Sequence, residues 1–165
     1  MTANIKFAKV RYDAQIPSKR IEDAALDLYP CFTEDWIGIE PHSSKLIPTG
    51  IASAFDSNWA LVFRERGSTG VKNLKVNAGV IDSGFRGEIF VSLFNGNDAP
   101  IYITKYMEGE QAPEPKDAIL YPYSKAIAQA LVIPVPEVEI EEILYEDLKD
   151  IPSERGTGAL GSSNK

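Results

Sequence analysis

Apolar residues recur along this chain mostly at every second position, in short runs closed by turn residues, the period of half-buried β-strands. The clearest run is Glu88 to Phe94, with Ile89, Val91 and Leu93 on one face and Phe90, Ser92 and Phe94 on the other. Ile5, Phe7 and Lys9 alternate more weakly with Lys6, Ala8 and Val10. Residues 36–54 hold two expected strands broken by Glu40-Pro41-His42-Ser43-Ser44. The apolar runs Trp59–Arg64 and Ile127–Val135 read as buried strands, and Glu137-Val138-Glu139-Ile140-Glu141 as an edge or half-exposed one. Helix is expected only as short turns, at Ser18–Leu28 and at Ser68–Leu74, the second opened by a Ser/Thr cap. Eleven prolines spread along the chain argue against longer helices. Short strands with regular turn signals predict an all-β barrel or jelly roll.

No internal repeat is visible. The 165 residues suit one β domain, expected over 1–150, followed by a flexible C-terminal arm over 151–165 that is rich in Gly and Ser. Asn95–Ser124 is rich in Pro, Gly and Tyr and reads as a long excursion, uncommon unless functional. Its Tyr102, Tyr106, Tyr121 and Tyr123 read first as packing residues, with a protein-partner surface over 95–124 as the other reading.

Charge and cysteine usage narrow the partners. A formal net charge of -7 argues against general nucleic-acid affinity, and a polyanionic small ligand would need a local cluster of donors. Cys31 is the only cysteine, which excludes an internal disulfide and a Cys-based metal site. The first residues carry no apolar run of the signal-peptide kind, and no stretch is long enough to span a bilayer. The expected compartment is cytoplasmic. His42 reads as an exposed turn residue, and the acid-rich stretch 137–147 as a solvated strand face rather than a metal site.

Candidate chemistry sits in five segments. Asn77 to Ile89 is a glycine-punctuated hairpin with one carboxylate, Asp82, at its centre, and Gly79, Gly84 and Gly87 permit positive φ and close backbone approach. Ala24-Ala25-Leu26-Asp27-Leu28 places a second carboxylate between apolar residues. Arg64 to Gly70 follows a buried strand and joins an Arg to small and hydroxyl residues, a natural anion site at a helix start. Ile127-Ala128-Gln129-Ala130 sets one amide in an apolar strand, and Arg155 to Ser163 combines Arg with glycines and hydroxyls suited to phosphates.

In this order the segments resemble the five motifs of the trimeric dUTPase family, all-β enzymes that hydrolyse dUTP to dUMP and pyrophosphate, and the matches run from Ala24 to Ser163. Pro48-Thr49-Gly50, and Gly79-Val80-Ile81-Asp82 followed by Phe85-Arg86-Gly87-Glu88, are also close to the family pattern. The chain departs from it at Gly67-Ser68 after Arg66, at Phe85 for Tyr, at Ala126 for the Arg three places before Gln129, and at Leu160 for Phe. It is similar to a divergent bacterial or phage-like member.

The resemblance implies a distorted jelly-roll barrel with a swapped or arm-like C-terminal tail. It implies a homotrimer with active sites shared between subunits, and in-line attack of water at the α-phosphate. Asp82 would be the catalytic residue that orients the water. Asn77, Gly79, Ile81 and Phe85 would meet the nucleoside. Arg66, Gly67, Ser68, Gln129 and Arg155 would meet the triphosphate, with Leu160, Gly161 and Ser162 closing from the arm. Mg²⁺ is the expected cofactor, with Asp27 an outer-sphere partner through water. The alternatives are a dCTP deaminase-related enzyme, for which no general-base Glu segment is found, and a non-catalytic protein-binding trimer of the same fold.

Overall fold

A computed structural model describes residues 2–106 and 117–158. They hold twelve strands and two short helices, and the chain divides into two compact units, Met1–Val135 and Pro136–Lys165.

The strands of the first unit fall into four sheets, a jelly-roll arrangement without a closed barrel. β1 (Lys6–Lys9) pairs with β5 (Ile51–Ala54). β3 (Trp36–Ile39) and β11 (Ile119–Pro122) flank β10 (Ile101–Thr104). β4 (Ser44–Pro48) and β7 (Leu74–Asn77) flank β9 (Phe90–Asn95). The fourth sheet runs β2 (Ala25–Leu28), β12 (Ala128–Pro134), β6 (Trp59–Arg64), β8 (Val80–Ile81). Every ladder is antiparallel except that of β10 with β11.

Burial follows the period of two. Ile89, Val91 and Leu93 are fully buried while Phe90 is 43% exposed, so one face of β9 enters the core. Each such side chain contributes roughly 1.5–3 kcal/mol by leaving water. Ile39, Ile47, Leu61, Phe63, Ile103 and Ile127 join them in one cluster. Pro48-Thr49-Gly50 turns β4 into β5. The Thr49 hydroxyl donates to the Ile89 carbonyl at 2.6 Å, and Gly50 takes φ +66° with Ala14 Cβ and Cys31 Sγ each 2.8 Å from where a Cβ would stand. Only glycine fits there.

Several sequence expectations need correction. Residues 36–54 form three strands, not two. Ser18–Leu28 is not a helical turn: it ends in β2, and Ser18 bridges Asp27. The short helix α1 spans Gly67–Gly70, begins earlier than expected and has Arg66, not a Ser or Thr, as its cap. The Thr69 hydroxyl accepts from the Arg66 N–H and donates to the Arg66 carbonyl, both at 3.0 Å. Residues 95–124, so far as they are described, are not one loop, because β10 and β11 lie within them and all of β10 is buried. Tyr102 packs edge-on against Trp36 at 4.6 Å and Tyr123 against Phe32 at 4.8 Å. Tyr121 is buried as well, so these three are packing residues.

Among its described residues the second unit carries one helix, α2 (Tyr145–Asp150), which the charge-apolar alternation had hidden. Residues 137–141 form no strand. Lys149 pairs with Glu146 and lies over the Tyr145 ring at 5.1 Å.

Candidate active site

The fourth sheet sets Asp27, Gln129 and Arg64 side by side on neighbouring strands, Gln129 opposite Asp27 on β2 and opposite Arg64 on β6. Two residues past Arg64, Arg66 turns back onto Asp27. Its Nε meets Oδ1 at 2.8 Å and its Nη2 meets Oδ2 at 3.2 Å, a fork-on-fork pair that is about one-third exposed. Nη1 donates to the Ala126 carbonyl at 3.4 Å and to the Ser68 hydroxyl at 3.5 Å. The Gln129 amide donates to the Glu65 carbonyl at 2.7 Å. Glu65 in turn accepts the Val76 N–H at 2.9 Å, and that bond holds its carboxyl below the usual value. Burial raises the Tyr121 hydroxyl above its ordinary value, so it stays protonated and donates to Ala126 at 2.6 Å.

Asp27, Arg66 and Gln129 border a polar cavity of about 740 Å³, which Gly67 and Ser68 also line. α1 is four residues long. A single turn brings little dipole, so the expected helix-start anion site reduces here to the Arg66 side chain and the Ser68 hydroxyl.

Asp82 lies elsewhere. The segment 77–89 is not a hairpin paired with itself, because β7 joins β9 and β8 joins β6. Ala78 (φ 58°) and Gly79 (φ 112°) make the crossing between the two sheets. A Cβ on Gly79 would stand 3.0 Å from Phe63 Cβ, and its carbonyl is taken by the Phe63 N–H at 2.7 Å. Gly84 and Gly87 do not adopt positive φ. Gly87 instead clears the Phe85 ring, 2.8 Å from where its Cβ would be.

Asp82 follows β8 and is exposed, its carbonyl accepting the Phe85 N–H at 3.1 Å. Ile81 stands opposite Leu61, so the antiparallel chain leaves β8 toward the start of β6, whereas Arg66 follows the end of β6. Asp27 is on β2, at the far edge of the same sheet, three inter-strand spacings or about 14 Å away.

One chain therefore brings Asp27, Arg66, Gly67, Ser68 and Gln129 together, but not Asp82. Asn77 is committed to the Ser44 hydroxyl at 2.9 Å. Ile81 is half-buried at the sheet edge, and Phe85 is 43% exposed. Arg155 is exposed in the second unit, its Nε donating to the Gly158 carbonyl at 3.0 Å. Leu160, Gly161 and Ser162 lie outside the described residues.

The sequence reading missed three supports. Arg86 clamps the Asp82 turn, donating to the carbonyls of Ser83 at 2.5 Å, Phe85 at 3.0 Å and Ser53 at 3.4 Å. Glu88 accepts the Gly50 N–H at 3.0 Å. Lys19 and Arg20 line the Asp27–Arg66 cavity; two adjacent cations shortly before the Asp27 segment were the available signal.

A family model for dUTPase matches residues 12–108. A deoxyuridine 5'-triphosphate nucleotidohydrolase of Nautilia profundicola is 33% identical over 98% of this chain and 99% of its own. The chain belongs to the dUTPase family. A second dUTPase-family relative, from Clostridioides difficile, is 31% identical over 97% of each chain and bears the same name.

Two solved phage dUTPases are alike in fold. The Staphylococcus bacteriophage 80alpha enzyme with dUpNHpp has a TM-score of 0.76 at 19% identity, over 99% of this chain and 100% of its own. A variant from phage phi11 of S. aureus, described with a structural Mg(II) ion, has a TM-score of 0.65 at 19% identity, over 85% and 96%. Among the described residues of this dUTPase-family chain, no helix is long and apolar enough to cross a membrane. Nor does any cluster of three or more His, Cys, Asp or Glu side chains suit a metal ion. Each Asp27 oxygen accepts one bond from Arg66, which leaves lone pairs for metal-bound water but no open bidentate seat. The free lone pairs of Asp27 are compatible with a contact to metal-bound water.

Proposed function

We propose that this chain hydrolyses dUTP to dUMP and pyrophosphate in a homotrimer whose active sites are shared between copies. The observation that carries the sharing is the separation within one chain of exposed Asp82 from the cavity around Arg66 and Asp27. A copy facing the cavity of its neighbour supplies the missing carboxylate, and closed threefold symmetry repeats the contact.

Asp82 orients a water for in-line attack at the α-phosphorus and accepts its proton. The new P–O bond forms as the bond to the bridging oxygen breaks, and pyrophosphate leaves with that oxygen. The turn around Asp82 is pinned by Arg86, so the carboxylate works mainly by positioning. Arg66, Ser68 and Gln129 hold the triphosphate, with Arg155, Leu160, Gly161 and Ser162 approaching from an arm. Backbone groups near Gly79 and Ile81 read the uracil edge, where a mismatched base would leave donors unpaired at about 1–3 kcal/mol each. Phe85 packs against the deoxyribose. Mg²⁺, held by phosphate oxygens and by water bound to Asp27, would neutralise charge on the leaving group. Pyrophosphate release from dUTP, followed beside dCTP, dTTP and UTP, tests the reading. Strong preference for dUTP is expected, and equal rates on all four, or none on dUTP, would overturn it.

A further inference from the structure

The turn before β2 brings two cations to the same cavity that the reading above does not use. Ser18 bridges Asp27, whose N–H donates to the Ser18 carbonyl at 3.0 Å, so the next two residues are fixed at the cavity's lip by the same strand that carries Asp27. Arg20 pairs with Asp23 through Nε at 3.0 Å and Nη2 at 3.0 Å. Its side chain is 88% exposed, and Nη1 has no bond among the described residues. Lys19 Nζ donates to the carbonyls of Arg20 at 3.3 Å, Ile21 at 3.4 Å and Asp23 at 2.6 Å. Lys19 spends its three donors bracing the turn, which leaves Nη1 of Arg20 as the preformed donor at the lip.

The balance of charge points the same way. Lys19, Arg20 and Arg66 line the cavity against Asp23 and Asp27, one positive charge in excess within a chain of net charge -7. Ala126, beside Arg66, adds no charge of its own. An anion entering from solvent meets the lip before it reaches Arg66, and a ligand with several phosphates can engage both.

We propose that Arg20, held in place by the Lys19-braced turn, forms a second anion-binding arm of this cavity, gripping the terminal phosphates of the nucleotide and then the departing pyrophosphate. The inference rests on the dUTP reading. It is tested by measuring binding of a non-hydrolysable deoxyuridine imidotriphosphate and of dUMP to the full chain, beside inhibition by inorganic pyrophosphate. Lys19→Gln and Arg20→Gln are each expected to weaken the triphosphate analogue and pyrophosphate about tenfold while leaving dUMP within about twofold. Arg20→Lys restores part of the loss. Lys45→Gln, an exposed charge on β4, leaves all three unchanged. Wild-type affinity for the analogue in both variants overturns the proposal, as does an equal loss for dUMP or in the Lys45 control. A wild-type protein that fails to bind the analogue removes the dUTP reading as well, which separates the two failures.

Discussion

The Asp27–Arg66 cavity and the Asp82 turn hold their charged groups in different ways. In the cavity, side chain holds side chain: Arg66 forks onto Asp27 at 2.8 and 3.2 Å. In the turn, the backbone is shaped first, by Gly79 at φ 112°, by the clearance at Gly87 and by Arg86 bonded to the Ser83 and Phe85 carbonyls. Asp82 then needs no side-chain partner and stands exposed. A cavity built by pairing suits binding and neutralising an anion, whereas a carboxylate on a braced turn suits positioning. The two regions should therefore fail differently when altered.

The largest difference is expected at Asp82 and Arg66, the two side chains given functional roles in the proposal. Asp82→Asn should lower dUTP turnover by about 10³-fold while binding of a non-hydrolysable triphosphate stays within about threefold. Arg66→Ala should weaken that binding about 100-fold, because it removes a cation and leaves Asp27 facing the phosphates. Calorimetric titration of each variant beside its turnover number reads both. Loss of binding in the first, or loss of turnover with binding intact in the second, would erase the distinction.

The supports come next. Gly50→Ala places a Cβ 2.8 Å from Ala14 and Cys31 at φ +66° and disturbs the N–H that holds Glu88 behind the turn. Chemical denaturation should show a loss of about 2–3 kcal/mol. Glu65→Gln, next to the cavity residue Arg66, should cost about 1 kcal/mol at neutral pH. The Val76 N–H depresses the Glu65 carboxyl, so its contribution is present above the ordinary value of 4.5 and is lost as pH falls below that, through the folded value. A wild-type minus Glu65→Gln stability difference that closes in acid is the expected result; one that grows would contradict the assignment.

The strand pattern was legible where one face meets the core and the other does not, as in Ile89, Val91 and Leu93. It misled at Glu137–Glu141, where alternating charge mimics an edge strand but no strand forms. It also hid β2, because four residues closed by a long-range pairing to β12 leave little local signal. The apolar run at Ile127–Val135 and the carboxylate at Asp27 could each be seen, but only the register that sets Gln129 opposite Asp27 makes them neighbours. The supporting roles of Arg86 and Glu88 were beyond a sequence reading, since both act on backbone groups brought near by the fold.

The central claim, that one copy's Asp82 serves another copy's Arg66–Asp27 cavity, is tested most directly by complementation. Asp82→Asn and Arg66→Ala chains, each nearly inactive alone at dUTP well below the level that saturates the Arg66→Ala chain, are unfolded together in equal amounts and refolded, and dUTP hydrolysis is measured at that concentration. Random assembly pairs an intact Asp82 with a neighbour's intact Arg66 at one site in four, so about one-quarter of wild-type activity should return. No recovery in mixed assemblies that bind the triphosphate analogue would place both groups in the same chain's site and contradict the account.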